Sequence, residues 1–89
     1  MTKSIHTNEM IALRDWLKSQ RKAKKLTMRR LAHRINKPHS FIQRVEDGER
    51  RLDIVEFVWY CTALGVDPHT GIDAVLNNSS SSAKPASED

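Results

Sequence analysis

The chain has 89 residues, is 38% hydrophobic and 29% charged, and carries a net charge of +4 at neutral pH. This is the balance of one small globular domain rather than of a disordered chain. No apolar run approaches the ~20 residues of a membrane-spanning helix, and no apolar leader follows Met1, so neither a membrane partner nor a signal peptide is expected and the predicted location is cytoplasmic. The single cysteine, Cys61, excludes an intramolecular disulfide and a Cys/His zinc framework.

Hydrophobic periodicity predicts five helical segments and a tail. Residues 1–7 carry no period and read as frayed. Thr7 or Asn8 caps a first helix running to about Lys24, with Met10, Leu13, Leu17 and the aliphatic stem of Arg21 on one stripe. Thr27 caps a second, over residues 28–35, which Asn36 ends by taking a left-handed conformation. Pro38 opens a third, over 38–46, with Ile42 and Val45 inward and the Asp47-Gly48 turn beyond it. Asp53 and Glu56 have capping-box spacing at the start of a fourth helix, which stops at Leu64-Gly65. Asp67-Pro68 begins a short fifth helix carrying Ile72, Val75 and Leu76. No window alternates with period two, so the fold class is all-α: a five-helix domain over residues 8–76. From Asn77 to Asp89 no apolar residue is larger than Ala, and the segment is expected to be a disordered tail.

Charge is segregated along this pattern. Arg14 to Arg51 holds thirteen Lys/Arg against four acids, whereas Leu52 to Leu76 holds four acids and no Lys or Arg. One part of the domain favours a polyanion and the other repels it. The basic part contains the two short segments 27–35 and 38–46, whose size and tight connection are those of a helix-turn-helix. With Ile42 and Val45 inward, the second of them leaves Ser40, Gln43 and Arg44 on its outer side, side chains suited to base edges in a major groove. His39 joins that set, either reading a base or merely filling the first turn.

These residues resemble the Cro/repressor-type helix-turn-helix domains of the XRE family. The resemblance runs from about Leu13 to Leu76. It is most specific in Leu26-Thr27, Leu31-Ala32, Ile35-Asn36 and the stretch from Phe41 through Glu46-Asp47-Gly48 to Leu52, with the Leu64-Gly65-Val66-Asp67-Pro68 ending also shared. It implies binding of double-stranded DNA as a transcriptional regulator, a repressor reading an inverted repeat as a homodimer. It implies a buried ion pair between Arg21 and Glu46, against the plainer reading of two solvated charges. It further implies phosphate contacts from Thr27 and the amides after it, and from Lys37, Arg50 and Arg51. Three positions depart from the family pattern: Met28 where a DNA-contacting Gln is common, Arg30 where a capping Glu is frequent, and Asp47 where some relatives place a neutral residue.

The fourth helix is apolar nearly all round. Ile54, Phe57, Val58, Cys61 and Leu64 form a stripe assigned to the core; Val55, Trp59 and Thr62 form another, with Val66 just beyond. A second buried face in so short a chain points to another copy, with Trp59, Val66, Ile72 and Val75 at a homodimer interface; the competing reading makes Trp59 part of a monomer core. A protein partner such as a toxin or another regulator is the rival to DNA. The histidines His6, His33, His39 and His69 share no metal-ligand spacing, and no phosphate loop or catalytic grouping is present. No enzyme activity, metal or other cofactor is therefore expected, nor is there length for an effector-binding domain.

Overall fold

A computed structural model describes residues 7–78. The segment before Thr7 and the expected tail from Ser79 onward lie outside the described residues. Five helices follow in order: α1 Asn8–Ala23, α2 Met28–Ile35, α3 His39–Glu46, α4 Ile54–Leu64 and α5 Pro68–Asn77. Among the described residues no strand forms. α1 packs on α5, α3 and α4, while α2 lies against α3 and α4, so that α3 is held from two sides and its remaining face is open.

Short polar side chains set the helix starts. The Thr7 hydroxyl accepts from the Met10 amide, and Thr27 does the same for Arg30, at 3.2 and 3.1 Å. Asp53 and Glu56 form the reciprocal capping box, with Asp53 Oδ1 accepting from the Glu56 amide and Glu56 Oε1 from the Asp53 amide. α3 is the exception. Pro38 is its N-cap in extended backbone (ψ 156°) rather than its first helical residue, and offers no side-chain cap. The chain reaches it from Asn36, which is left-handed at φ 64° and turns the backbone out of α2. α5 continues through Asn77, one residue beyond the expected end of the domain.

The core gathers Leu17 from α1, Leu31 and Ala32 from α2, Phe41, Ile42 and Val45 from α3, and Phe57, Tyr60, Cys61 and Leu64 from α4. Two residues assigned to it from sequence are outside: Ile54 is 64% exposed and Val58 43%. α4 turns instead on the 57-60-61-64 stripe. Its apolar residues surround the helix, so periodicity alone sets no phase, and the two aromatics remove more area from water than Ile54 and Val58 would. Tyr60 is fully buried, and so is Cys61, whose thiol burial pushes up to about 11, which keeps it protonated.

Trp16 acquires a role here that the sequence did not suggest. Its ring packs on Phe57, with centroids 6.5 Å apart and planes at 47°. α5 approaches this pair through Gly71, where an added Cβ would lie 2.8 Å from Trp16 and 2.9 Å from Phe57. Gly71→Val is therefore expected to lower unfolding stability by about 2–3 kcal/mol through overpacking. Gly71→Ala should cost less, because its better helix propensity offsets part of the clash by up to about 1 kcal/mol. Urea denaturation of the two variants checks both the size and the order of the effects.

Candidate nucleic-acid interface

The orientation of α3 is set by one charged pair. Arg21, near the end of α1, donates from Nε to Glu46 Oε2 at 2.6 Å and from Nη2 to Glu46 Oε1 at 3.0 Å, while Nη1 donates to the Leu26 carbonyl at 2.8 Å. The Glu46 side chain is 1% exposed and that of Arg21 10%. Hydrogen bonding to Glu46 is the main cause that raises the Arg21 pKa above its already high ordinary value. The guanidinium reaches these three acceptors from three separate nitrogens of one planar fork, a spread that the single nitrogen of an ammonium lacks.

With Phe41, Ile42, Val45 and Glu46 buried, α3 turns Ser40, Gln43 and Arg44 to the exterior, and all three are exposed. Their i, i+3, i+4 spacing puts them on one face. His39 is half-buried in the first turn. The turn after α3 closes through Gly48, left-handed at φ 78°, with Arg14 of α1 lying against it; a Cβ there would sit 2.5 Å from Arg14 Nη1.

The expected phosphate-contacting groups stand in different states, and of them Lys37 and Arg50 share a depression with Ser40 and Arg44. Thr27 is exposed, and its hydroxyl accepts from the Arg30 amide, which leaves its own proton to donate. The α2 ladder begins with Leu31 donating to the Thr27 carbonyl, and with Arg30 capped the Met28 and Arg29 amides are the ones that point outward from the helix start. Arg51 is exposed. Lys37 is half-buried, its Nζ 5.5 Å from the Phe41 centroid and 5.5 Å from that of Trp59. Arg50 is engaged: Nη1 and Nη2 donate to Glu56 Oε1 and Oε2 at 2.9 and 2.8 Å, Nη1 also donates to the Arg51 carbonyl, and Cζ lies 4.7 Å above the Phe41 ring. Sequence reasoning took Arg50 as a phosphate contact and missed this strut. The Arg50–Glu56 spacing of six residues across a turn is no recognisable helical pair. Arg34, likewise unremarked, donates from Nη1 to the Ala63 carbonyl at 3.0 Å and ties α2 to α4.

Of the residues expected at a homodimer interface, Trp59 is 46% exposed and Ile72 41%, whereas Val66 and Val75 are half-buried and Val66 packs against the core. Val55 and Val58 add 53% and 43% exposed apolar surface beside Trp59 on α4.

A short capped helix, a left-handed turn and a second helix with its outer face unburied define a helix-turn-helix protein. The family model described as Helix-turn-helix matches residues 17–70. An "XRE-family like protein" from Pseudomonas syringae pv. tomato str. DC3000 is 37% identical over 84% of this chain and 92% of its own, with a TM-score of 0.76. The restriction-modification controller protein C.AhdI from Aeromonas hydrophila is 28% identical over 68% of this chain and 92% of its own, with a TM-score of 0.65. No curated protein matches the chain. The chain belongs to the XRE family of helix-turn-helix proteins, and is a DNA-binding transcription regulator.

Two outcomes test the supports of α3. Glu46→Ala strands a buried guanidinium and is expected to cost about 3–5 kcal/mol in chemical denaturation, far more than Arg44→Ala at the exposed face. The Arg50 hydrogen bonds, and then the Asp53 amide, hold the Glu56 carboxyl below its ordinary 4.5. Folding thus favours the carboxylate, so the stability this group contributes is present above about pH 4.5 and is lost as pH falls through its folded-state pKa. Thermal melts from pH 6 to pH 3 should accordingly fall less steeply for Glu56→Gln than for the wild type.

Proposed function

We propose that this chain is a repressor that reads double-stranded DNA by inserting α3 into the major groove, two copies binding an inverted repeat. The observation that carries the reading is the division of α3, whose Phe41, Ile42, Val45 and Glu46 are buried in the fold while Ser40, Gln43 and Arg44 stand exposed. Arg44 suits guanine, Gln43 adenine, and Ser40 either kind of group; His39 extends the set at the first turn. Thr27 with the first amides of α2, Lys37 and Arg51 are phosphate contacts that fix register without reading sequence. Arg50 serves chiefly to brace the loop and Phe41 through Glu56. The exposed apolar residues of α4 and α5, with Trp59 and Ile72 foremost and Val66 and Val75 at their margins, are the surface for the second copy. The acidic composition of that half directs a two-fold pair so that its basic faces meet the phosphates.

The same apolar surface supports a second reading, in which α4 binds a different protein, such as a toxin, and the chain acts as an antitoxin. Val55, Val58 and Trp59 are the residues that favour it.

Selection of bound duplexes from a random pool discriminates. An enriched inverted repeat is expected from the repressor reading; absence of enrichment with salt-insensitive capture of a protein partner is expected from the other. On the selected duplex, Arg44→Ala should lose about 1–3 kcal/mol of binding and relax preference at one base position while leaving random-sequence binding nearly unchanged. Equal losses on selected and random duplexes would remove Arg44 from the reading face.

A further inference from the structure

Lys37 occupies an unusual place, on the wall between two depressions of the surface. One, of about 240 Å³, is lined by Lys37, Ser40, Phe41, Arg44 and Arg50 at the start of α3. The other, of about 490 Å³, lies between the end of α2 and α4 and is lined by Arg34, Lys37, Trp59 and Thr62 among others. The Lys37 backbone is fixed on both sides: its amide donates to the Ala32 carbonyl at 2.9 Å, Asn36 before it is left-handed, and Pro38 follows. Its side chain has the α3 ring of Phe41 and the α4 ring of Trp59 at equal distances of 5.5 Å from Nζ. Phe41 is 7% exposed and already carries Arg50, whereas Trp59 is 46% exposed and contributes no core packing of that order.

A lysine on an open surface has many rotamers, and capturing a phosphate removes most of that freedom. A lysine already stacked between two rings has surrendered part of it in the free protein, and its ammonium is held beside the start of α3. We infer that Trp59 is a positioning residue for nucleic-acid binding, acting through Lys37 from a helix that does not itself enter the groove. The inference rests on α3 being the nucleic-acid face, and it gives Trp59 a function separate from contact with a second copy.

The test uses the full chain and a random-sequence duplex, whose binding reports phosphate contacts without an operator. Trp59→Leu is expected to weaken binding about 2- to 5-fold at about 50 mM salt, the factor corresponding to an exposed cation–π contact. Trp59→Phe, which keeps a ring, should retain most of the affinity. In a Lys37→Met background, which itself flattens the salt dependence by about one phosphate contact, Trp59→Leu should cost clearly less than it does with Lys37 in place. In the free protein, the Lys37 side-chain proton resonances should lie upfield under the indole and move downfield in Trp59→Leu.

An equal loss from Trp59→Leu with and without Lys37 would overturn the inference, because it would mean that Trp59 acts through pairing of copies or through packing. Wild-type affinity in Trp59→Leu, or Lys37 resonances unshifted in the wild type, would overturn it directly. A wild-type chain that fails to bind the duplex at low salt would instead overturn the reading of α3, and the role given to Trp59 would fall with it.

Discussion

The buried pair of Arg21 and Glu46 is the constraint on which the rest of this domain depends. α3 has eight residues and no side-chain cap at its start, so it is too short to persist by its own hydrogen bonding. Its position must come from tertiary contacts. Apolar packing of Phe41, Ile42 and Val45 supplies much of the free energy but is tolerant of small rotations. A two-pronged guanidinium–carboxylate contact is not, and it fastens the last residue of α3 to α1 while a third bond holds the Leu26 carbonyl of the intervening chain. Against an apolar pair of equal volume such an arrangement contributes little net stability. Its value lies in direction, since it fixes which way the outer face of α3 looks.

Much of this was legible in the sequence, because the relevant signals are local. Thr27, Asn36, Asp53 with Glu56, and Gly65 each act within a few residues of the backbone groups they satisfy, and the helix limits follow from them. The outer face of α3 was legible too, since three polar residues at helical spacing leave few alternatives. What escaped were features in which distant segments meet. α4 is apolar on nearly every side, so its phase was set by what α1, α2 and α5 place against it, and Tyr60 was overlooked while Ile54 and Val58 were taken for core. Pro38 fell one position earlier than expected because the left-handed Asn36 leaves the chain extended before α3 can start. Gly71 gave no hint of its purpose, since only the proximity of Trp16 and Phe57 makes a missing side chain necessary there.

The count of basic residues also changes meaning once they are placed. Arg21 is consumed by the core, Arg34 by the carbonyl of Ala63, and Arg50 by Glu56 and the face of Phe41. These arginines tie segments of the fold together, and at two of them the chemistry explains why arginine rather than lysine stands there: Arg21 and Arg50 each use the planar fork to make two or more contacts. The long-range field of the segment is still that of its full charge, whereas its local contacts come from fewer groups. Charge segregation in a sequence therefore speaks to the first of these and overstates the second.

The separation within α3 has a consequence for how such a domain diverges. Ser40, Gln43 and Arg44 are exposed and carry no part of the core, whereas Phe41, Ile42, Val45 and Glu46 cannot change without disturbing the fold. A lineage can thus exchange these three outward side chains with little thermodynamic penalty, and the framework remains unaware of the edit. Copies of the gene could acquire a new outer face faster than a new architecture, and two proteins of equal robustness could present unrelated surfaces. Resemblance in the scaffold then tracks ancestry, while the exposed face of α3 is left to vary on its own account.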